Sequence, residues 1–197
     1  MKRFAPDEAF WHRRCGWDRL IFIGRSSAHA RDDLEHSLVV HGIREKLGRQ
    51  AFARHLRHQS LSDRYMDKPE IRERLLHVGA SMQFPAFTVE LDALVAEGLH
   101  VEARSRKPCA ELARFIILLN EQIDRYGLPP GGGHRPHITL AYSFTGSLPR
   151  TQSMPRVDWP IDELELVVGR GTPYDYTTLG SWKLGPARPQ QAQDSLF

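Results

Sequence analysis

Residues 134–144 read HRPHITLAYSF and follow the loop GLPPGGG at residues 127–133, which must end any preceding helix. After Pro136, apolar and polar residues alternate as they do in a strand with one buried face. The apolar set is Ile138, Leu140, Tyr142 and Phe144, and the other set is His137, Thr139, Ala141 and Ser143. The second face offers an imidazole and a hydroxyl, two residues apart, to a single ligand. The stretch therefore predicts a strand at a functional site.

A second His-x-hydroxyl-Leu motif lies upstream, where residues 58–61 read His-Gln-Ser-Leu, also in a segment that can be extended. One such motif is more often a strand with two solvated polar residues than a site. Two matching motifs in one chain indicate two similar lobes that face each other. Each lobe would then contribute one histidine and one hydroxyl to a shared cleft.

The motifs at His58 and His137, in their order and separation, resemble those of the two-histidine (2H) phosphoesterases. The nearest branch is that of the 2′-5′ RNA ligase-like, RNA 2′,3′-cyclic phosphodiesterases. Supporting likeness comes from residues 19–24 (RLIFIG), 87–91 (FTVEL) and 176–184 (YTTLGSWKL), so the resemblance covers residues 19–184. It implies an α+β fold with two pseudo-symmetric β-rich lobes, flanking helices and a central cleft.

The resemblance also implies a metal-independent reaction without a cofactor, in which a cyclic or 2′-5′ phosphodiester at an RNA end is hydrolysed. One of His58 and His137 would activate water and the other would protonate the leaving ribose oxygen, because free imidazole ionises near neutral pH. The hydroxyls of Ser60 and Thr139 would donate to the non-bridging oxygens. Which histidine is the acid stays open, as does the choice between hydrolysis and ligation.

The chain departs from the family pattern next to both motifs. Relatives commonly carry an arginine shortly after one or both of them, whereas residues 62–63 are Ser-Asp and residues 141–142 are Ala-Tyr. Arg64, Arg135 or Tyr142 are the candidate replacements, and we include Arg135 and Tyr142 among the predicted substrate-binding residues. The departure leaves the natural substrate open.

Two rival functions fit the same residues. His55-x-x-His58 and His134-x-x-His137 could supply four imidazoles to a metal, although an offset of three puts the members of each pair on opposite faces of a strand. Alternatively, the cleft binds a nucleotide or an RNA end without turning it over. Detected turnover would exclude this second rival.

Composition restricts the class of protein. The 197 residues are 41% hydrophobic and carry a net charge of +3, with a pI of about 9.0, so an anionic substrate is permitted without dense basic tracts. Cys15 and Cys109 form neither a disulfide framework nor a metal pattern, which favours a reducing compartment. No leader or membrane-spanning stretch is evident, so we expect a soluble, cytoplasmic protein without an obligate protein partner.

The resemblance implies a domain at 19–184. Residues 1–18 show no convincing period and are expected to form an extension, and residues 185–197 lack core formers, so a disordered tail is expected there. Helices are expected at 30–48, 69–79 and 108–126. Strands are expected at 20–23, 87–94, 99–104, 164–168 and 178–184, in addition to the two motif strands. A polar, proline-containing linker is expected after Phe144.

Overall fold

The computed structural model describes residues 18–171 and 174–186, which form four α-helices and nine strands. The helices are α1 (Ala28–Val40), α2 (Ile43–Leu47), α3 (Pro69–Ser81) and α4 (Ala110–Arg125), with 3₁₀ turns at Gly48–Gln50 and Arg54–Leu56. The strands are β1 (Arg19–Gly24), β2 (Gln59–Ser60), β3 (Tyr65–Met66), β4 (Phe87–Glu97), β5 (His100–Arg104), β6 (His137–Ala141), β7 (Thr151–Ile161), β8 (Glu163–Arg170) and β9 (Asp175–Lys183). The predicted extension and tail fall almost wholly outside the described residues.

The strands form two antiparallel sheets, which confirms the predicted α+β class. The first sheet has the order β2-β1-β8-β9, with β3 also paired to β1, and the second has the order β6-β5-β4-β7. The two motif strands, β2 and β6, therefore lie at sheet edges, and they pack beside each other. The topology therefore brings together the two half-sites, each of which is the histidine and hydroxyl of one motif.

One apolar core lies between the sheets and helices α1, α3 and α4. Alternate residues of β1 divide between two clusters: Leu20 and Phe22 join this main core, while Ile21 and Ile23 belong to a smaller cluster on the other face. The smaller cluster also contains Leu56, Val167 and Tyr176. Because Leu56 and Tyr176 neighbour His58, this second cluster forms an apolar floor under one half-site. None of the helices in the described ranges is long and apolar enough to cross a bilayer.

Residues 151–161 form the long strand β7, so the prediction of a linker after Phe144 was wrong over this segment. Pro155 and Pro160 suggested a linker, because proline lacks the N–H that a central strand needs. Within the described residues β7 is an edge strand paired to β4 on one side, and a missing donor is tolerated on the other side. Trp159 and Ile161 of β7 are fully buried in the main core.

The helix predicted at 30–48 is two helices, α1 and α2. Gly42 separates them and adopts a φ of 64°, a left-handed conformation that ends α1 after Val40. Apolar residues on both sides, such as Leu38 and Ile43, are buried in the same core. Their spacing therefore mimicked one continuous helical face. The helices predicted at 69–79 and 108–126 are confirmed as α3 and α4.

Candidate active site

The first motif enters the site through a short strand. The 3₁₀ turn ends at Leu56, and β2 contains only Gln59 and Ser60, so His58 lies immediately before the strand and not within it as predicted. His58 is 6% exposed, which is more buried than a fully wet cleft would leave it. Its ring packs edge-to-face on Tyr176, with ring centroids 5.1 Å apart.

The second motif forms β6 directly. The strand begins at His137 and ends at Ala141, so the predicted alternation holds for buried Ile138 and Leu140 but the strand stops before Tyr142. Thr139 is only 8% exposed, whereas His137 is partly exposed.

Both histidine rings are oriented by the same hydrogen bond. Nδ1 of His58 lies 2.7 Å from the carbonyl oxygen of Leu56, and Nδ1 of His137 lies 2.8 Å from the carbonyl oxygen of Arg135. A carbonyl oxygen only accepts, so Nδ1 carries the hydrogen in each ring. In each ring Nε2 is therefore the nitrogen that can accept a proton when the ring is neutral and donate one when it is charged.

Gln59 joins the two half-sites. This side chain is fully buried and spans the boundary between β2 and β6. Its Oε1 accepts a hydrogen bond from the backbone N–H of His137 at 2.9 Å, and its Nε2 donates to the carbonyls of Arg135 (3.1 Å) and Ser60 (2.8 Å). The residue beside one histidine thus fixes the backbone of the other.

An arginine lies level with each histidine in the sheet register. Arg104 of β5 stands directly across from His137, and Glu102 stands across from Thr139. Arg104 Nε donates to Glu102 Oε2 at 2.6 Å. Residues paired across antiparallel strands project from the same face, so this ion pair lies beside the second motif.

The first sheet repeats this arrangement. Ser60 stands across from Ile23, and Arg25, two residues further along the chain, comes level with His58 in the continued register. Arg25 Nη2 lies 3.3 Å from Glu165 Oε2, and the same carboxylate oxygen accepts from the hydroxyl of Thr178 at 3.0 Å. An arginine held by a carboxylate therefore lies beside each motif.

Side chains from β3 and α4 hold the glycine loop that leads into the second motif. The hydroxyl of Tyr65 donates to the carbonyl of Pro129 at 2.8 Å, and burial raises the pKa of Tyr65 to about 12, so the phenol keeps its proton throughout the neutral range. Asn120 bonds both the N–H and the carbonyl of Gly131.

Asp63 also contacts this loop. Its carboxylate accepts from the N–H of Gly132 at 3.2 Å and lies 3.4 Å from His134 Nε2. The contact with His134, above all, holds the pKa of Asp63 below its usual value. The carboxylate therefore stays ionised, and the contact persists, until the pH falls through that lowered pKa.

The other predicted residues have different surroundings. Arg135 is exposed and offers its backbone carbonyl to His137 and Gln59, as described above. Tyr142 lies one residue beyond β6, with its ring edge-on to Phe52 and His100 at centroid distances of 5.1 and 5.6 Å. The structure therefore brings His58, Ser60, His137 and Thr139 to adjacent strand edges, and places Tyr142 just outside them.

The four imidazoles of the metal alternative do not converge. His55 Nε2 lies 3.9 Å from Asp175, and His134 Nε2 lies 3.4 Å from Asp63, so each flanking histidine faces a carboxylate of its own. In residues 18–171 and 174–186, no three His, Cys, Asp or Glu side chains are grouped as metal ligands.

Solved structures share this architecture. A structure described as a phosphoesterase matches with a TM-score of 0.72 and 22% identity, over 86% of this chain and 99% of the other. Apo LigT of E. coli matches with a TM-score of 0.69 and 22% identity, over 86% and 98% of the two chains. The chain has the LigT fold. A protein of Thermus thermophilus, TT0787, matches with a TM-score of 0.66 and 17% identity, over 86% and 100%.

The LigT fold confirms, at the level of structure, the resemblance that the two motifs indicated. E. coli LigT has been crystallised with ATP, 3′-AMP, phosphate and NADP+. At the level of sequence, no family model and no curated protein matches the chain.

Sequence reasoning missed three features of this version of the LigT fold: the link made by Gln59, and the arginines Arg25 and Arg104. Gln59 had a detectable signal, since it is a polar residue at the core-facing position between His58 and Ser60. The arginines carried no local signal, because their proximity to the motifs depends on strand pairing across the chain.

Proposed function

We propose that this chain is a metal-independent phosphoesterase that hydrolyses a cyclic or 2′-5′ phosphodiester, with an RNA 2′,3′-cyclic phosphate as the preferred substrate. The observation that carries the proposal is the matched orientation of His58 and His137. Each Nδ1 bonds the carbonyl two residues before it, and Gln59 ties the two edge strands together. Two histidines held in the same way can supply the one proton acceptor and the one proton donor that the reaction needs.

In the proposed reaction the neutral imidazole accepts a proton from water at Nε2 as the oxygen attacks phosphorus. The charged imidazole gives its Nε2 proton to the departing ribose oxygen, so the ring opens to a phosphate monoester and the two histidines exchange protonation states. Ser60 and Thr139 donate to the non-bridging oxygens, where the negative charge is held. Either histidine can fill either role, since both rings are oriented alike.

The nucleotide complexes of E. coli LigT support a nucleotide or an RNA end as the substrate class. We test this with a panel containing nucleoside 2′,3′-cyclic phosphates, RNA ending in a 2′,3′-cyclic phosphate, and 2′-5′-linked dinucleotides. Turnover of the cyclic phosphates is the expected result, and the isomer of the monoester product identifies the leaving oxygen. Saturable binding without turnover of any member would replace the proposal with the nucleotide-binding alternative.

We expect activity to survive exhaustive chelation with EDTA. Two imidazoles can move both protons, and two hydroxyls can hold the phosphate without a Lewis acid. The measurement compares kcat/KM on the best panel substrate before and after chelation, and then after adding back zinc, manganese and magnesium separately. Loss of turnover that one of these ions restores would contradict the metal-independent scheme.

A further inference from the structure

Three arginine side chains lie around the turn between β1 and α1, next to the segment that leads into His58. Arg25 follows β1 and comes level with His58, Arg31 lies in the first turn of α1, and Arg54 opens the 3₁₀ turn that precedes the motif. Arg31 Nη1 donates to the carbonyl of Ser26 at 2.5 Å, which holds its guanidinium against the β1–α1 turn. The 3₁₀ turn packs on α1, so the three positions form one surface, here called the arginine cluster.

The arginine cluster has more positive than negative charge. Arg25 pairs with Glu165, and Arg54 pairs with Asp32. Among the described residues no carboxylate forms an ion pair with Arg31, whose guanidinium donates to a neutral carbonyl. Desolvation first, and then the charges of Arg25 and Arg54, lower the pKa of Arg31, and the charge of Glu165 offsets them only in part.

The surroundings of His137 differ from those of His58. Arg104 stands across from His137, but it lies between two carboxylates, with Nε 2.6 Å from Glu102 and Nη2 3.7 Å from Glu97. Its charge is therefore locally balanced. The two half-sites match in their histidines and hydroxyls, but the arginine across from the second histidine is flanked by two carboxylates.

We propose that Arg25, Arg31 and Arg54 form a second phosphate subsite, which binds the phosphodiester next to the scissile one in an RNA strand. Arginine suits this role because its planar fork of donors matches phosphate oxygens, often with two parallel hydrogen bonds. The scissile phosphate has its own donors in Ser60 and Thr139, so the arginine cluster is left for a neighbouring phosphate of the same molecule. The inference rests on the proposed function and extends it to strands longer than one nucleotide.

The test compares two substrates that differ by one charge. Both are dinucleotides ending in a 2′,3′-cyclic phosphate, and their internal linkage is either a phosphodiester or a neutral methylphosphonate. We expect the wild-type protein to prefer the charged linkage in kcat/KM by about 10-fold, the scale of a charge-assisted hydrogen bond. Arg31→Gln is expected to abolish most of this preference. Arg114→Gln, at an exposed position of α4, is the matched control and should retain it.

Equal kcat/KM for the two linkages in the wild-type protein would overturn the subsite, and so would an unchanged preference in Arg31→Gln. Thermal unfolding checks that each variant folds. Arg54→Gln tests the same surface without touching the bond to Ser26, and should also reduce the preference.

A binding measurement separates failure of the subsite from failure of the proposed function. Dissociation constants are measured by calorimetry for 3′-phosphorylated dinucleotides with either linkage, at two salt concentrations and without turnover. Tighter binding of the charged linkage, with a salt slope that falls by about 1 in Arg31→Gln, supports the subsite even if no cyclic substrate is hydrolysed. Equal binding of both linkages overturns it even if hydrolysis is efficient.

Discussion

Removing either imidazole is expected to lower kcat by about 10²- to 10⁴-fold, the range for losing one general acid or base. Asparagine is the sharper replacement, because its amide can keep the hydrogen bond that Nδ1 makes to the carbonyl of Leu56 or Arg135 while losing proton transfer. His58→Asn also fills part of the space against Tyr176 that His58→Ala would empty. The measurement is kcat on the best cyclic phosphate, with thermal unfolding as the fold check.

The double variant, with His58 and His137 both replaced, should be scarcely slower than the poorer single variant, because residues that act as a unit are strongly non-additive. His41→Ala is the matched control. The Nδ1 of His41 also bonds a backbone carbonyl, that of Ser37 at 2.8 Å, but the residue lies at the end of α1. Wild-type kcat in either asparagine variant would contradict the two-histidine mechanism.

Gln59→Leu is expected to destabilise the fold by about 1–3 kcal/mol and to reduce kcat by up to about 10²-fold. The stability loss follows because the N–H of His137 loses its acceptor and the carbonyls of Arg135 and Ser60 each lose the donor that Gln59 supplies. The loss of rate follows because the strand that carries His137 is no longer fixed relative to His58, and displacements near 1 Å have costs on this scale. Gln59 acts on the reaction through His137 and is therefore a positioning residue.

Gln122→Leu separates these two effects of Gln59→Leu. Gln122 is a buried glutamine of α4 that accepts hydrogen bonds from Ser81 and Arg125 and, among the described residues, makes no hydrogen bond to either motif. The Gln122→Leu variant should lose stability and keep kcat. If Gln59→Leu behaved in the same way, with kcat intact at a temperature where it is folded, Gln59 would have only a structural role.

Local patterns were sufficient to predict much of the fold. An apolar run indicates β1, an N-terminal proline indicates α3 and a helical stripe indicates α4, and the structure has all three close to the expected bounds. The strand β6 was found because Ile138 and Leu140 alternate with polar residues. Two predictions were wrong. The apolar spacing across Gly42 suggested one helix, but this glycine is left-handed and separates two. The prolines of β7 suggested a linker, but an edge strand tolerates them.

The site was predictable only in part, because some of its contacts join residues that are far apart in the chain. Both motifs are present in the sequence as tetrapeptides, so His58 and His137 could be paired by likeness alone. The contacts of Gln59 with Arg135 and His137, and the register that places Arg104 across from His137, join residues far apart in the chain. Such contacts follow from the packing of two sheet edges, which no local pattern specifies.

The pH dependence of kcat/KM tests the central claim most directly, for the wild-type protein and for His58→Asn and His137→Asn between about pH 4 and 10. One imidazole must be neutral, so rate is lost as the pH falls and it gains a proton; the other must be charged, so rate is lost as the pH rises and it gives one up. The account predicts a bell-shaped wild-type profile, with a different limb missing in each variant. A wild-type profile with a single limb, or variants that keep both limbs, would contradict two-histidine acid–base catalysis.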